Sequence, residues 1–158
     1  MRFAYADPPY PGQARRRYGR SEVDHVKLIE QLQQYDGWAL STASTTLRQV
    51  LFLCPKETRI AAWVKPFGVF KPGVNPAYVW EPVLFVSGRK RARIEPTVRD
   101  WLSCNITMKK GLCGAKPEPF CSWILDLLGW QSGDELDDLF PGTGVVSRVW
   151  EQWQREAA

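Results

Sequence analysis

The sequence is poor in several residue types, and each shortage excludes something. A single histidine, His25, occurs in 158 residues. It falls on the polar side of a segment with helical spacing, SEVDHVKLIEQLQQY, and reads as a surface residue. The four cysteines, Cys54, Cys104, Cys113 and Cys121, form no CxxC pair and lie far from that histidine. A zinc site is therefore not expected, nor is the zinc-activated water of nucleobase deaminases, which needs HxE and CxxC patterns. The thiols read as reduced and structural. No apolar run exceeds the length of a strand, so neither a membrane span nor a signal peptide is expected, and a cytoplasmic protein is the default. Internal repeats and low-complexity linkers are also missing, so residues 1–158 read as one domain.

What is present is a sizeable apolar fraction and an uneven charge. Hydrophobic residues make up 44% of the chain, enough to build a core. The net charge is +4, but its two signs are segregated. Residues 88–116 hold Arg89, Lys90, Arg91, Arg93, Arg99, Lys109, Lys110 and Lys116 against only Glu95 and Asp100. Residues 117–158 invert this, with eight acids against Arg148 and Arg155. A second basic cluster, RRRYGR, contributes Arg15, Arg16, Arg17 and Arg20. Separated basic clusters interleaved with aromatics suit a polyanion such as nucleic acid; charge alone equally fits a solvated basic surface.

The order of patterns is that of an α/β protein. RFAYADPP alternates and then stops at a double proline, as a buried strand running into a loop does. A helix follows with Ser21 as its expected N-cap, then a strand GWALSTA, a helix STTLRQVLFLC and a strand TRIAAWVK. PFGVFKPGVNPAYVW is too rich in proline and glycine for regular structure, and EPVLFVSG reads as a fourth strand. Residues 88–115 show no period and read as an irregular basic loop. KPEPFCSWILDLLGW reads as a helix opened by prolines and stopped by Gly129. DELDDLF is a fifth strand, PGTG a tight turn and VVSRVWEQWQRE a closing helix. About five mainly parallel strands with helices on both faces are expected.

Two motifs carry chemistry. DLFPGTG joins a strand to a helix, where Gly142 and Gly144 permit close backbone approach and the helix presents free N–H groups. Such turns receive nucleotide or nucleoside cofactors at the carboxyl edge of a parallel sheet, and Asp138 just before it suits a cationic or hydroxylated group. DPPY also ends a strand and should open on the same edge. Asp7 offers carboxylate acceptors, Pro8 a carbonyl, Pro9 stiffness and Tyr10 a flat face for a base. Together they suit an exocyclic amine presented to an electrophile.

As a pair in this order, the motifs resemble those of amino-methyltransferases that use S-adenosylmethionine (SAM). DPPY resembles the family's catalytic motif in the form typical of adenine-N6 enzymes, and DLFPGTG its cofactor turn. AAWVKPFG resembles a W-x-K segment, YVWEPVLFVSGR a strand with a glutamate before an apolar run, and GAKPEPF a lysine–proline element flanking the cofactor. Catalytic motif first and cofactor turn last is the permuted order of the β class, and small phage-type DNA adenine enzymes and the mRNA-adenosine branch look most similar. The resemblance spans residues 3–153. It implies a truncated Rossmann-like methyltransferase fold and methyl transfer to adenine N6 in DNA, duplex with a flipped base or single-stranded. RNA adenine, DNA cytosine-N4 and a catalytically weak nucleic-acid-binding module are the alternatives.

The resemblance also implies roles. Asp7, Pro8, Pro9 and Tyr10 would hold and stack the target base; Asp138, Phe140, Pro141, Gly142, Thr143 and Gly144, with Asp7, would surround the cofactor; Lys116 and Pro117 would close over it. Arg15, Arg16, Arg17, Arg20, Arg89, Lys90, Arg91, Arg93, Lys109 and Lys110 would contact nucleic acid. Residues 88–115 stand where the β class inserts a target-recognition region, which implies short or relaxed sequence specificity. The family continues past the cofactor helix to a second strand whose acid holds the ribose. VVSRVWEQWQREAA offers none. Either a homodimer completes the site, through the sheet edge or the Trp150 and Trp153 face of the last helix, or a minimal site suffices.

Overall fold

The computed structural model describes residues 1–14, 19, 21–67, 72–107, 116–142 and 144–156. Its strands are β1 (Arg2–Ala6), β2 (Gly37–Ser41), β3 (Arg59–Val64), β4 (Trp80–Val86), β5 (Trp101–Ser103) and β6 (Glu135–Asp138). Its helices are α1 (His25–Leu32), α2 (Leu47–Leu51), α3 (Glu118–Leu128) and α4 (Val145–Glu156). The strands form one sheet in the order β5-β3-β4-β2-β1-β6. All run parallel except β4, which is antiparallel to both neighbours.

This is a mixed α/β, Rossmann-like arrangement with helices on both faces, built by strict alternation along the central strands. In β1, Phe3 and Tyr5 join a core cluster under α3 and α4, with Trp63, Phe85, Phe120 and Ile124. Ala4 and Ala6 point the other way, into a cluster with Trp38, Leu40 and the α1 residues Leu28, Ile29 and Leu32. A strand flanked by strands and covered on both faces must be apolar throughout. β1 meets this requirement, because Phe3, Ala4, Tyr5 and Ala6 are all buried.

Three expectations need correction. The sheet has six strands rather than five; β5 lies inside the basic stretch, and three residues, Trp-Leu-Ser, are too few to show a period. The N-cap of α1 is Asp24, not Ser21: its carboxylate accepts from the N–H groups of Val26 and Lys27 at 3.1 and 3.2 Å. The second helix has only five residues, Leu47–Leu51, and buries Val50 alone. Trp150 and Trp153 are partly buried against the core cluster that includes α3, with Trp153 edge-on to Trp130 at 6.0 Å. α3 begins and ends as expected, with Pro117 at its N-cap and Gly129 left-handed at its C-cap.

Candidate active site at the carboxyl edge

The sheet order decides what the site contains. β1 lies between β2 and β6, and its register with β6 sets Tyr5 opposite Asp138. Asp7 and the turn after Asp138 therefore leave neighbouring strands side by side, and the Leu139 N–H donates to the Tyr5 carbonyl at 2.9 Å. Parallel strands deliver their carboxyl ends to one edge, which is where such folds bind ligands. Because β4 is antiparallel, it brings its first residues, Trp80 and Glu81, to this same edge. β3 contributes Lys65 just past its end, and the segment before α3 contributes Lys116.

These residues form a linked, largely buried charge cluster. The Lys116 ammonium is 3.1 Å from Asp7 Oδ1 and 3.3 Å from Glu81 Oε2. It also lies over the rings of Trp63 and Phe120, at 5.4 and 5.5 Å from their centroids. Lys65 pairs with the other Glu81 oxygen and sits over the Trp63 ring. The Tyr10 hydroxyl donates to Glu81 Oε2 at 3.1 Å. Beneath them, the Tyr5 hydroxyl and Ser41 Oγ share a buried hydrogen bond of 2.9 Å.

Burial and pairing compete at each group. Burial would lower the basicity of Lys116, but the acidic groups around it, Asp7 first, hold its pKa well above the usual lysine value. Burial pushes Glu81 up, yet Lys116 and Lys65 outweigh it and keep this carboxyl below its ordinary range. For Asp7 the balance reverses: burial exceeds the attraction of Lys116, Glu81 adds repulsion, and the pKa is raised. Asp7 is thus a better proton acceptor than a free aspartate.

Asp138 differs from these. Its described hydrogen bond is from the Phe140 N–H at 3.3 Å. Burial, with repulsion from Asp7, pushes its pKa up to about 6. Gly142 and Gly144 have φ of +48° and +70°, which side-chain-bearing residues rarely adopt, so the turn needs glycine at both. Pro141 and Gly142 are exposed, while Phe140 packs against the α1 face of the sheet. The twelve-residue α4 begins directly after Gly144. A half-buried acid, an open glycine turn and a helix N-terminus form a set suited to a ligand bearing both an ammonium and a carboxylate.

Asp7, Tyr10, Lys116 and the Asp138 turn therefore meet at one edge, as does Pro8, which is buried. Several basic residues do not join them. Arg89 pairs with Asp134 at 2.7 Å and donates to the Gly129 carbonyl at 2.7 Å, beside the amino end of β6. Arg91 donates to the Asp126 carbonyl at 2.7 Å. Both belong to the opposite edge of the sheet, where they brace the chain around Gly129, Asp134 and Asp126. Lys90 and Arg93 are exposed on that same stretch. Arg15, Arg16, Arg17, Arg20, Lys109, Lys110 and Thr143 lie outside the described residues.

The sequence reading gave Tyr5 and Ser41 no place in the site, and it marked Lys65 and Glu81 only as parts of family-like segments without a role there. A signal for Glu81 existed, since it is the one charge in the strand WEPVLFV.

The chain shares its fold with M1.HpyAVI. The complex of that protein with SAM superposes with a TM-score of 0.61 at 14% identity, covering 98% of this chain and 79% of M1.HpyAVI. A second M1.HpyAVI structure gives 0.61 at 15% identity, covering 96% and 76%. No protein-family model matches the sequence, and no curated protein matches it.

Proposed function

We propose that this chain transfers the methyl group of SAM to the N6 amino group of adenine in DNA, as a β-class enzyme with short or relaxed sequence specificity. The observation that carries the reading is the Tyr5–Asp138 register, which sets the DPPY segment beside the DLFPGTG turn at one sheet edge. The SAM complex of M1.HpyAVI, a protein of the same fold, supports SAM as the cofactor. When bound, SAM supplies a sulfonium-activated methyl group.

The protein's part is acceptance, stacking and proton removal. The adenine amine is a poor nucleophile because its lone pair is delocalised into the ring. Asp7 and the Pro8 carbonyl accept its two N–H bonds, which favours a pyramidal nitrogen and exposes the lone pair. Tyr10 stacks on the base, its hydroxyl already fixed by Glu81. Transfer would form the N–C bond and break the sulfur–methyl bond, leaving SAM as its neutral thioether; the amine loses a proton, and the raised basicity of Asp7 suits it to receive that proton. Asp138 and the N-terminus of α4, with the glycine turn between them, would hold the ammonium and carboxylate of the cofactor's methionine part. A duplex substrate requires the base to be flipped out.

The test is incubation with methyl-labelled SAM and DNA, followed by nucleoside mass spectrometry. Label is expected on adenine N6, and Asp7→Ala should reduce transfer by roughly 10²- to 10⁴-fold while the fold persists. Label on cytosine, on RNA alone or on neither would refute the adenine assignment.

A further inference from the structure

Glu81 belongs to neither motif, yet three of the surrounding groups converge on it. It faces Trp63 across the β3–β4 ladder and is one-fifth exposed. One carboxylate oxygen accepts from Tyr10 at 3.1 Å and from Lys116 at 3.3 Å, and the other pairs with Lys65. This geometry does two separable things. It anchors the far end of the Tyr10 ring, so the face offered to a base has one orientation. It also divides the Lys116 ammonium between two carboxylates. Without that division, Asp7 would be the only acid facing two ammonium groups and would accept another N–H less readily.

We infer that Glu81 is a positioning residue for the methyl transfer proposed above, acting through Tyr10 on the base and through Lys116 on Asp7. The inference rests on that proposed reaction. It assigns Glu81 no contact with substrate or cofactor. Its effect is to keep Asp7 basic and the ring still while the amine attacks.

The test compares wild type with Glu81→Gln, Glu81→Asp and Tyr10→Phe. A misplaced ring and a weakened acceptor are expected to lower kcat of Glu81→Gln by roughly 10²-fold. SAM affinity, read by calorimetry, should change less than threefold. Loss of the Glu81 charge removes a group that raises the Asp7 pKa, so the acid limb of the pH–rate profile should move to lower pH. Glu81→Asp keeps the charge but not the reach, so it should lose rate with its acid limb unmoved. Tyr10→Phe should add little to the defect of Glu81→Gln in the double variant.

Carbon-13 titration of the Asp7 carboxyl in wild type and both Glu81 variants gives a readout independent of turnover. A lower Asp7 pKa in Glu81→Gln upholds the coupling even if wild type transfers nothing, an outcome that would refute the reaction alone. An unmoved or higher Asp7 pKa, or fully additive losses with Tyr10→Phe, would overturn the inference.

Discussion

Replacing Lys116 by methionine tests the charge cluster most directly. Methionine preserves much of the stem that lies over the Trp63 and Phe120 rings, so packing changes little. What disappears is the ammonium between Asp7 and Glu81. Removing one partner of a buried pair costs about 3–5 kcal/mol because the remaining charge is left unpaired. The lower end applies here, about 3 kcal/mol, since both carboxylates keep partial solvent contact and Glu81 retains Lys65. At this chain length that corresponds to a fall in Tm of roughly 6–12 °C.

The pH dependence separates this mechanism from simple packing loss. In wild type the folded pKa of Lys116 is raised, so its contribution is complete at all pH values below the unfolded lysine value of about 10.4. In the variant, burial acts on Asp7 with only Lys65 left to oppose it and raises its folded pKa further; Glu81 loses the stronger of its two lowering partners and also moves up. Groups with raised acid pKa values destabilise the fold when ionised and cease to do so once protonated. The deficit should therefore be largest at pH 7 and shrink as pH falls toward about 4. Urea denaturation of both proteins at several pH values measures it. A deficit that is absent at pH 7, or constant from pH 8 to 4, would refute the reasoning.

Two further outcomes follow from groups outside that pair. Asp134 is buried and held well below the usual carboxylate range, Arg89 being the main cause, so its contribution is present above about pH 3.9 and fades as pH falls below it. Asp134→Asn should cost about 2–3 kcal/mol at pH 7 in urea denaturation, with the gap between wild type and variant narrowing as pH falls below about 4 and activity per folded molecule unchanged. At the cofactor turn, the pKa of Asp138 is near 6, so calorimetric SAM affinity should fall about tenfold per pH unit below that value. Asp138→Asn should flatten this dependence.

The sequence exposed those parts whose signals are local. Alternation in RFAYA, the prolines before Phe120 and the glycines after Phe140 each state a strand, a helix start and a turn within a few residues. The pairing of DPPY with the glycine turn was legible because both follow strands, and strand ends share an edge. Glu81 stood out as the glutamate of YVWEPVLFVSGR, but its place at the site was hidden for the opposite reason. Its strand reverses direction, so a residue at its start reaches an edge otherwise made of strand ends, and no local pattern reports that reversal. The partner of Arg89 was hidden for the same cause: it follows β4, and antiparallel β4 ends at the far edge, where Asp134 lies. β5 was too short to declare itself.

The pairing of β1 with β6 has a kinetic meaning as well as a geometric one. Residues 2–5 meet residues 135–138, so the two halves of the site join across a loop of about 130 residues. Contacts of that separation form late and slow folding, because the entropy of closure precedes any gain from the contact. Until β6 docks, β1 is an unprotected edge, open to pairing with another chain. Recovery of methyl transfer after dilution from denaturant should accordingly lag the return of helical signal, making catalysis the last property of this molecule to appear.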